Sequence, residues 1–311
     1  MRQLLKNISP FNNRDAMPTI LFIVKKVLAF FLCYIVGSFV AEGAVILLHF
    51  AAGKNVFAGE MFDIQTITLI KYYGFSIMTG VALLYWKIIE KKPLIKMGIT
   101  KAFSSYFIGI LMGAVLLAVS VIVIIMAGGF VFRGIYKNVD ICMVLLLMGG
   151  FVVQGATEEV LCRGIVLHTL KEKTPVGIAI AISTVLFIAP HLSSLFAEDF
   201  AYGVIGIMNL ILISIIFSLL TISSGNIWAA CGLHSFWNAI LYCVLGLNLS
   251  GNDEKVTALF NIRSTGNTIW NGGEYGVEAS IITAAVLFVA AVCLAVFCGC
   301  RSSREMAREK R

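Results

Sequence analysis

Eight apolar runs of about 20 residues or more constrain this chain more than any other feature, each long enough to cross hydrocarbon about 30 Å thick. They lie at roughly 27–50, 65–86, 103–127, 141–168, 175–195, 200–221, 227–247 and 277–298. In lipid a segment must satisfy its own backbone polar groups, so runs of this length are expected as helices. The chain is 59% hydrophobic and 13% charged with mean hydropathy +0.93, against about one quarter charged in soluble domains. It cannot cover itself with polar surface, so its solvent is largely lipid. The expected fold is all-α, a polytopic membrane protein of about eight transmembrane helices around a buried polar cavity. No separate soluble domain fits.

The basic residues fall in short runs beside these segments. One set of loops (Arg2 to Lys26, Lys87 to Lys101, Lys171 and Lys173, Arg301 to Arg311) carries 17 Lys and Arg; the other (Lys54, Arg133, Lys137, Lys255, Arg263) carries 5. Excess positive charge marks cytoplasmic loops. The bias therefore places both termini in the cytoplasm, as an even number of spans requires. The net charge of +7 is expected to meet anionic lipid headgroups. Nucleic acid is not an expected partner, because aromatic and basic residues do not interleave. The first apolar run is too long for a cleaved signal and is expected as a retained span. The eight cysteines form no C-x-x-C pair and are expected as packing residues. Gly109-x-x-x-Gly113 is a weak signal of close helix packing.

Within the fourth run stand Glu158, Glu159 and Arg163. Ionisable residues at membrane depth are costly and mark functional sites, although a structural ion pair is the simpler reading of these three alone. Residues four apart share a helix face, so Glu159 is expected to pair with Arg163. Glu158 is turned about 100° away and is left free to face a cavity as a general base. His191 follows Pro190 in the fifth run, and His234 and Asn238 share a face of the seventh. Both of the latter can donate to one oxygen, as an oxyanion hole requires. Depth counts place Glu158 and Glu159 roughly 15 Å, His191 roughly 24 Å and His234 roughly 10 Å from the cytoplasmic ends of their helices. One buried site, open toward the cytoplasm, is expected.

The order Glu-Glu-x-x-x-Arg, Phe187-x-x-x-His191 and His234-x-x-x-Asn238 resembles the CPBP (Abi) family, which holds the type II CAAX prenyl endopeptidases and bacteriocin-processing or immunity proteins. Asn226-Ile227-Trp228 and the Gly272-Gly273-x-x-Gly276-x-Glu278 run are similar to that family as well. The resemblance covers roughly 140–290. Three parts are expected: 1–100, an N-terminal cytoplasmic segment with the first two spans; 101–300, a core similar to that family's proteases; and 301–311, a basic tail. The resemblance implies hydrolysis of a peptide bond in a lipidated or hydrophobic peptide or protein. Glu158 and His191 would activate water, His234 and Asn238 would hold the oxyanion, and Glu159 and Arg163 would support the site. Zinc on Glu158, His191 and His234 is compatible with these residue types, but the chain has no H-E-x-x-H, and a Glu base with a His–Asn oxyanion hole needs no metal. Two rivals stand beside this reading. An immunity or scaffold protein of the same fold would have little or no turnover. A transporter would use the same polar residues but is expected to carry inverted repeats, and none is visible.

Overall fold

The computed structural model describes residues 8–197, 199–250 and 258–309. Arg2, Lys6, Lys255, Lys310 and Arg311, counted above for sidedness, lie outside them. The main helices are α1 (Thr19–Ala51), α2 (Ile64–Tyr85), α3 (Ser104–Met126), α4 (Ile141–Glu159), α5 (Val176–Ile188), α6 (Leu192–Phe196), α7 (Phe200–Ser224), α8 (Trp228–Ala239) and α9 (Ile281–Glu309). Local chemistry sets several starts. Asp63 accepts from the Gln65 and Thr66 amides, and Asp140 from the Met143 amide, each satisfying donors that a first turn leaves open. Pro18 and Pro175 precede α1 and α5. Pro190 breaks the fifth run into α5, a 3-10 turn Ala189–His191, and α6.

Among the described residues, seven helical stretches are long and apolar enough to cross a membrane, and the chain is an integral, multi-pass membrane protein. The seventh expected span, 227–247, is shorter: α8 has 12 residues and continues through π-helical turns Ile240–Val244 for 5 more. It nonetheless runs from one end of the bundle to the other. At its start the Ile227 amide donates to the Gly98 carbonyl (3.0 Å), and beyond its end the Leu259 amide donates to the Cys243 carbonyl (3.2 Å). α8 packs on α3, α4 and α7. Its sequence is less apolar because its faces meet protein. α3 presents Phe107, Leu111 and Met126, and α9 presents Phe288, Val289 and Val296, to the outside, as lipid-facing sides should.

The α3–α8 contact depends on glycines. A Cβ on Gly109 would lie 1.9 Å from the Ala229 carbonyl oxygen, and one on Gly232 would lie 2.0 Å from that of Tyr106. No side chain fits at that approach, so the Gly109-x-x-x-Gly113 signal marks a real interface. Its partner in α8, Gly232, was not part of the expectation.

The loops sort to two ends. At one, Asp15 pairs with Lys25, Lys26 and Lys92, Lys26 meets Glu90 at 2.7 Å, and Lys173 donates to the Asp15 carbonyl. This is the end rich in basic residues. At the other, two loops distant in sequence form an antiparallel pair, β1 (Phe130–Ile135) and β2 (Phe260–Ser264). The all-α expectation did not include this small sheet. Asn271 ties the same loops together through the Gly129 and Gly266 carbonyls.

Candidate functional site

α4 carries the carboxylates. Glu159 ends its regular part, and π-helical turns Val160–Leu167 follow, a distortion frequent at functional sites. Arg163 is fully buried. Its Nη1 meets Glu159 Oε1 at 3.2 Å, and its Nη2 reaches the Ser214 hydroxyl (2.8 Å) and carbonyl (3.1 Å) on α7. Its guanidinium lies over the rings of Phe187 (4.7 Å) and Phe217 (5.0 Å). The expected Glu159–Arg163 pair is present, held in a dry layer that Thr184 completes through Ser214.

Above this layer lies a cavity of about 310 Å³ whose lining includes Glu158, His191, His234 and Asn238. His191 is half-buried, with Nδ1 at 3.0 Å from the Phe187 carbonyl. A carbonyl only accepts, so the proton sits on Nδ1 and Nε2 is an acceptor in the neutral ring. His234 stacks on Phe217, with centroids 5.0 Å apart. Its Nδ1 is 3.0 Å from Glu159 Oε1 and its Nε2 3.9 Å from Glu158 Oε2. The rings of both histidines lie within 5.9 Å of that of Phe187. The structure thus brings four of the six predicted residues, Glu158, His191, His234 and Asn238, to one cavity lining, with Glu159 and Arg163 in the layer directly beneath.

Three expectations need correction. Glu158 is not without a partner: Gln154 Nε2 donates to its Oε1 at 2.9 Å, and Asn238 Nδ2 donates in turn to Gln154 Oε1 at 3.0 Å. Gln154 stands one turn before Glu158 on the same face, a spacing legible in sequence but carried by a neutral residue. The oxyanion pair is also not two idle donors. Asn238 spends one hydrogen on Gln154, and His234 spends Nδ1 on Glu159, so His234 donates from Nε2 only when doubly protonated.

Third, the cavity does not face the basic end. Its lining includes Leu249, Ser250 and Glu278 from the connections at the opposite end, and no residue of the loops at 91–103, 171–175 or 225–227. The reason is the Arg163 layer, which fills the bundle on the basic side. Lys71 on α2 and Asn209 on α7 also line the cavity; neither was singled out from sequence.

Zinc does not fit these donors as they stand. Among the described residues no three His, Cys, Asp or Glu side chains are grouped to hold a metal ion, and Glu158, His191 and His234 line one space without forming a ligand set.

Residues 140–240 match the protein-family profile described as Type II CAAX prenyl endopeptidase Rce1-like. The matched segment runs from the cap of α4 to the end of α8. No curated protein and no solved structure matches the chain.

Proposed function

We propose, from the Rce1-like domain of residues 140–240 and the cavity beside it, that the chain is an intramembrane endopeptidase. It hydrolyses a peptide bond in a lipidated or hydrophobic peptide or protein. The observation that carries this reading is the pair of acceptors facing one cavity. These are the Glu158 carboxylate, oriented by Gln154, and His191 Nε2, whose acceptor role is set by the Phe187 carbonyl. A water held between two acceptors has its lone pair free for attack. Glu158 takes one proton as the water oxygen bonds to the scissile carbonyl carbon. The carbonyl oxygen becomes an oxyanion, which the second Asn238 hydrogen and the Nε2 hydrogen of a doubly protonated His234 stabilise. Two carboxylates flank His234, at 3.0 and 3.9 Å. The proton on Glu158 then passes to the leaving nitrogen as the C–N bond breaks. Glu159 and Arg163 hold His234 in register rather than touch substrate.

The test is cleavage of a lipidated or hydrophobic fluorogenic peptide by purified full-length variants. Glu158→Gln keeps the Gln154 contact and is expected to abolish turnover with thermal stability retained. Asn238→Ala is expected to slow it about a hundredfold or more, as oxyanion donors do. Turnover surviving in Glu158→Gln would refute the mechanism. A cellular phenotype surviving in the same variant would favour the immunity or scaffold role.

Both termini are proposed to be cytoplasmic, supported by the basic loops gathering at one end of the bundle. The cavity would then lie in the half of the membrane away from the cytoplasm. Reporter fusions after Arg311 and within 258–270 should report opposite sides; the same side for both would overturn the orientation and the span count together.

A further inference from the structure

We propose that Asn209, Ser250 and Glu278 form a subsite for a cationic group of the substrate, an ammonium or guanidinium, about three or four residues from the scissile bond. The proposal rests on the endopeptidase reading and adds to it a substrate class.

All three residues line the same cavity as Glu158. The Ser250 amide and hydroxyl both donate to Glu278 Oε2, at 2.7 and 2.8 Å. Those bonds fix the carboxylate against the wall, and its Oε1 has no hydrogen bond among the described residues. Asn209 is 3% exposed, and its amide orientation is set by its neighbours. Nδ2 donates to the Glu278 carbonyl (2.9 Å) and the Ser280 carbonyl (3.0 Å). Oδ1 is therefore turned away from that chain, buried, and without a partner among the described residues. A buried acceptor left unpaired is costly, and the Glu278 carboxylate on the same cavity lining adds negative charge. Two acceptors on one wall ask for a donor, and the carboxylate selects a positively charged one. Lys71, the lining cation on α2, belongs to the wall that α2 builds with α1 and α4.

The helix sets the spacing. Phe217 stacks on His234 and so marks the level of the reacting groups. Asn209 lies eight residues earlier on the same α7, about 12 Å along its axis. An extended peptide covers about 3.3–3.6 Å per residue. A basic side chain or a free α-amine three or four residues from the cleaved bond reaches the subsite.

The experiment uses the full chain carrying Glu158→Gln, so that binding is read apart from turnover. The probes are fluorescent acetylated hydrophobic nonapeptides in which one Lys, or norleucine in its place, is moved along the sequence. A lysine-free peptide with an unblocked N-terminus separates an α-amine from a side chain. One register should bind about tenfold or more tighter with Lys than with norleucine, the effect of a charge-assisted hydrogen bond. That ratio should fall toward one with Glu278→Gln, whose amide carbonyl still accepts from Ser250, and recover with Glu278→Asp. Equal binding of both peptides at every register, a ratio untouched by Glu278→Gln, or no binding of any peptide would overturn the proposal. If Glu278→Gln does not fold, the ratio in its parent decides alone. Cleavage of the same peptides by the unmodified chain reports separately. Cleavage without discrimination sinks the subsite only, and discrimination without cleavage sinks the endopeptidase reading only.

Discussion

Arg163→Ala is the sharpest probe of how this site is held. In the folded chain the guanidinium is fully buried, bonded to Glu159 at 3.2 Å and to Ser214 at 2.8 and 3.1 Å, and sandwiched by Phe187 and Phe217. Truncation leaves the Glu159 carboxylate in a dry layer with only the His234 bond. Breaking a buried pair by removing one partner costs about 3–5 kcal/mol, and the aromatic contacts add about 1–2 kcal/mol when desolvated. Against a total stability of about 5–15 kcal/mol, the single variant should unfold readily or express poorly. Arg163→Met combined with Glu159→Gln removes the stranded charge as well and fills the volume, so it should recover most of the loss. The assay is denaturant unfolding in detergent followed by the fluorescence of the four tryptophans, Trp86, Trp228, Trp237 and Trp270. A single variant within about 1 kcal/mol of the parent would refute the stranded-charge argument, which rests on that burial penalty. So would a double variant no more stable than the single one.

Two further outcomes follow from packing and charge outside the cavity. Gly109→Ala places a Cβ 1.9 Å from the Ala229 carbonyl oxygen and should destabilise by about 1–3 kcal/mol, the usual cost of overpacking. Gly43→Ala, where nothing lies within 4 Å, should cost nothing in the same unfolding assay, and equal losses at both would refute the interface. At the basic end, burial of Asp15 is outweighed by its hydrogen bond from Lys92 and the charges of Lys26, Lys92 and Lys25, which together hold its carboxyl below the ordinary aspartate value of 3.8. A depressed folded value means that its contribution is present above that pH and is lost as pH falls through the folded value. The melting temperature of Asp15→Asn should therefore lie below the parent's at pH 7 and approach it under acid. A gap that widens on acidification would refute the assignment.

The sequence alone determined the solvent and the rank of the parts. Apolar runs of fixed length, Lys and Arg sorted by loop, and Glu158, Glu159, Arg163, His191, His234 and Asn238 at helical spacings are all local patterns. Local patterns survive without knowledge of neighbours, because a helix in lipid satisfies its own backbone and its length follows from the bilayer. The i,i+4 pairing of Glu159 with Arg163 was legible for the same reason. What only the tertiary structure decided was direction and partnership. Gln154 orients Glu158 because α8 brings Asn238 across to it, and His234 meets Glu159 where Gly155 lets α4 and α8 approach closely, a Cβ there lying 3.0 Å from the Ser235 amide nitrogen. The cavity faces away from the basic loops because Arg163 draws Ser214, Phe187 and Phe217 from other helices into a layer that fills the opposite side. Glu278 and Asn209 reach the site through a loop folded back from 120 positions past Glu158 in one case and from the middle of α7 in the other. Such contacts join residues far apart in the chain, and no spacing rule records which helix faces will meet.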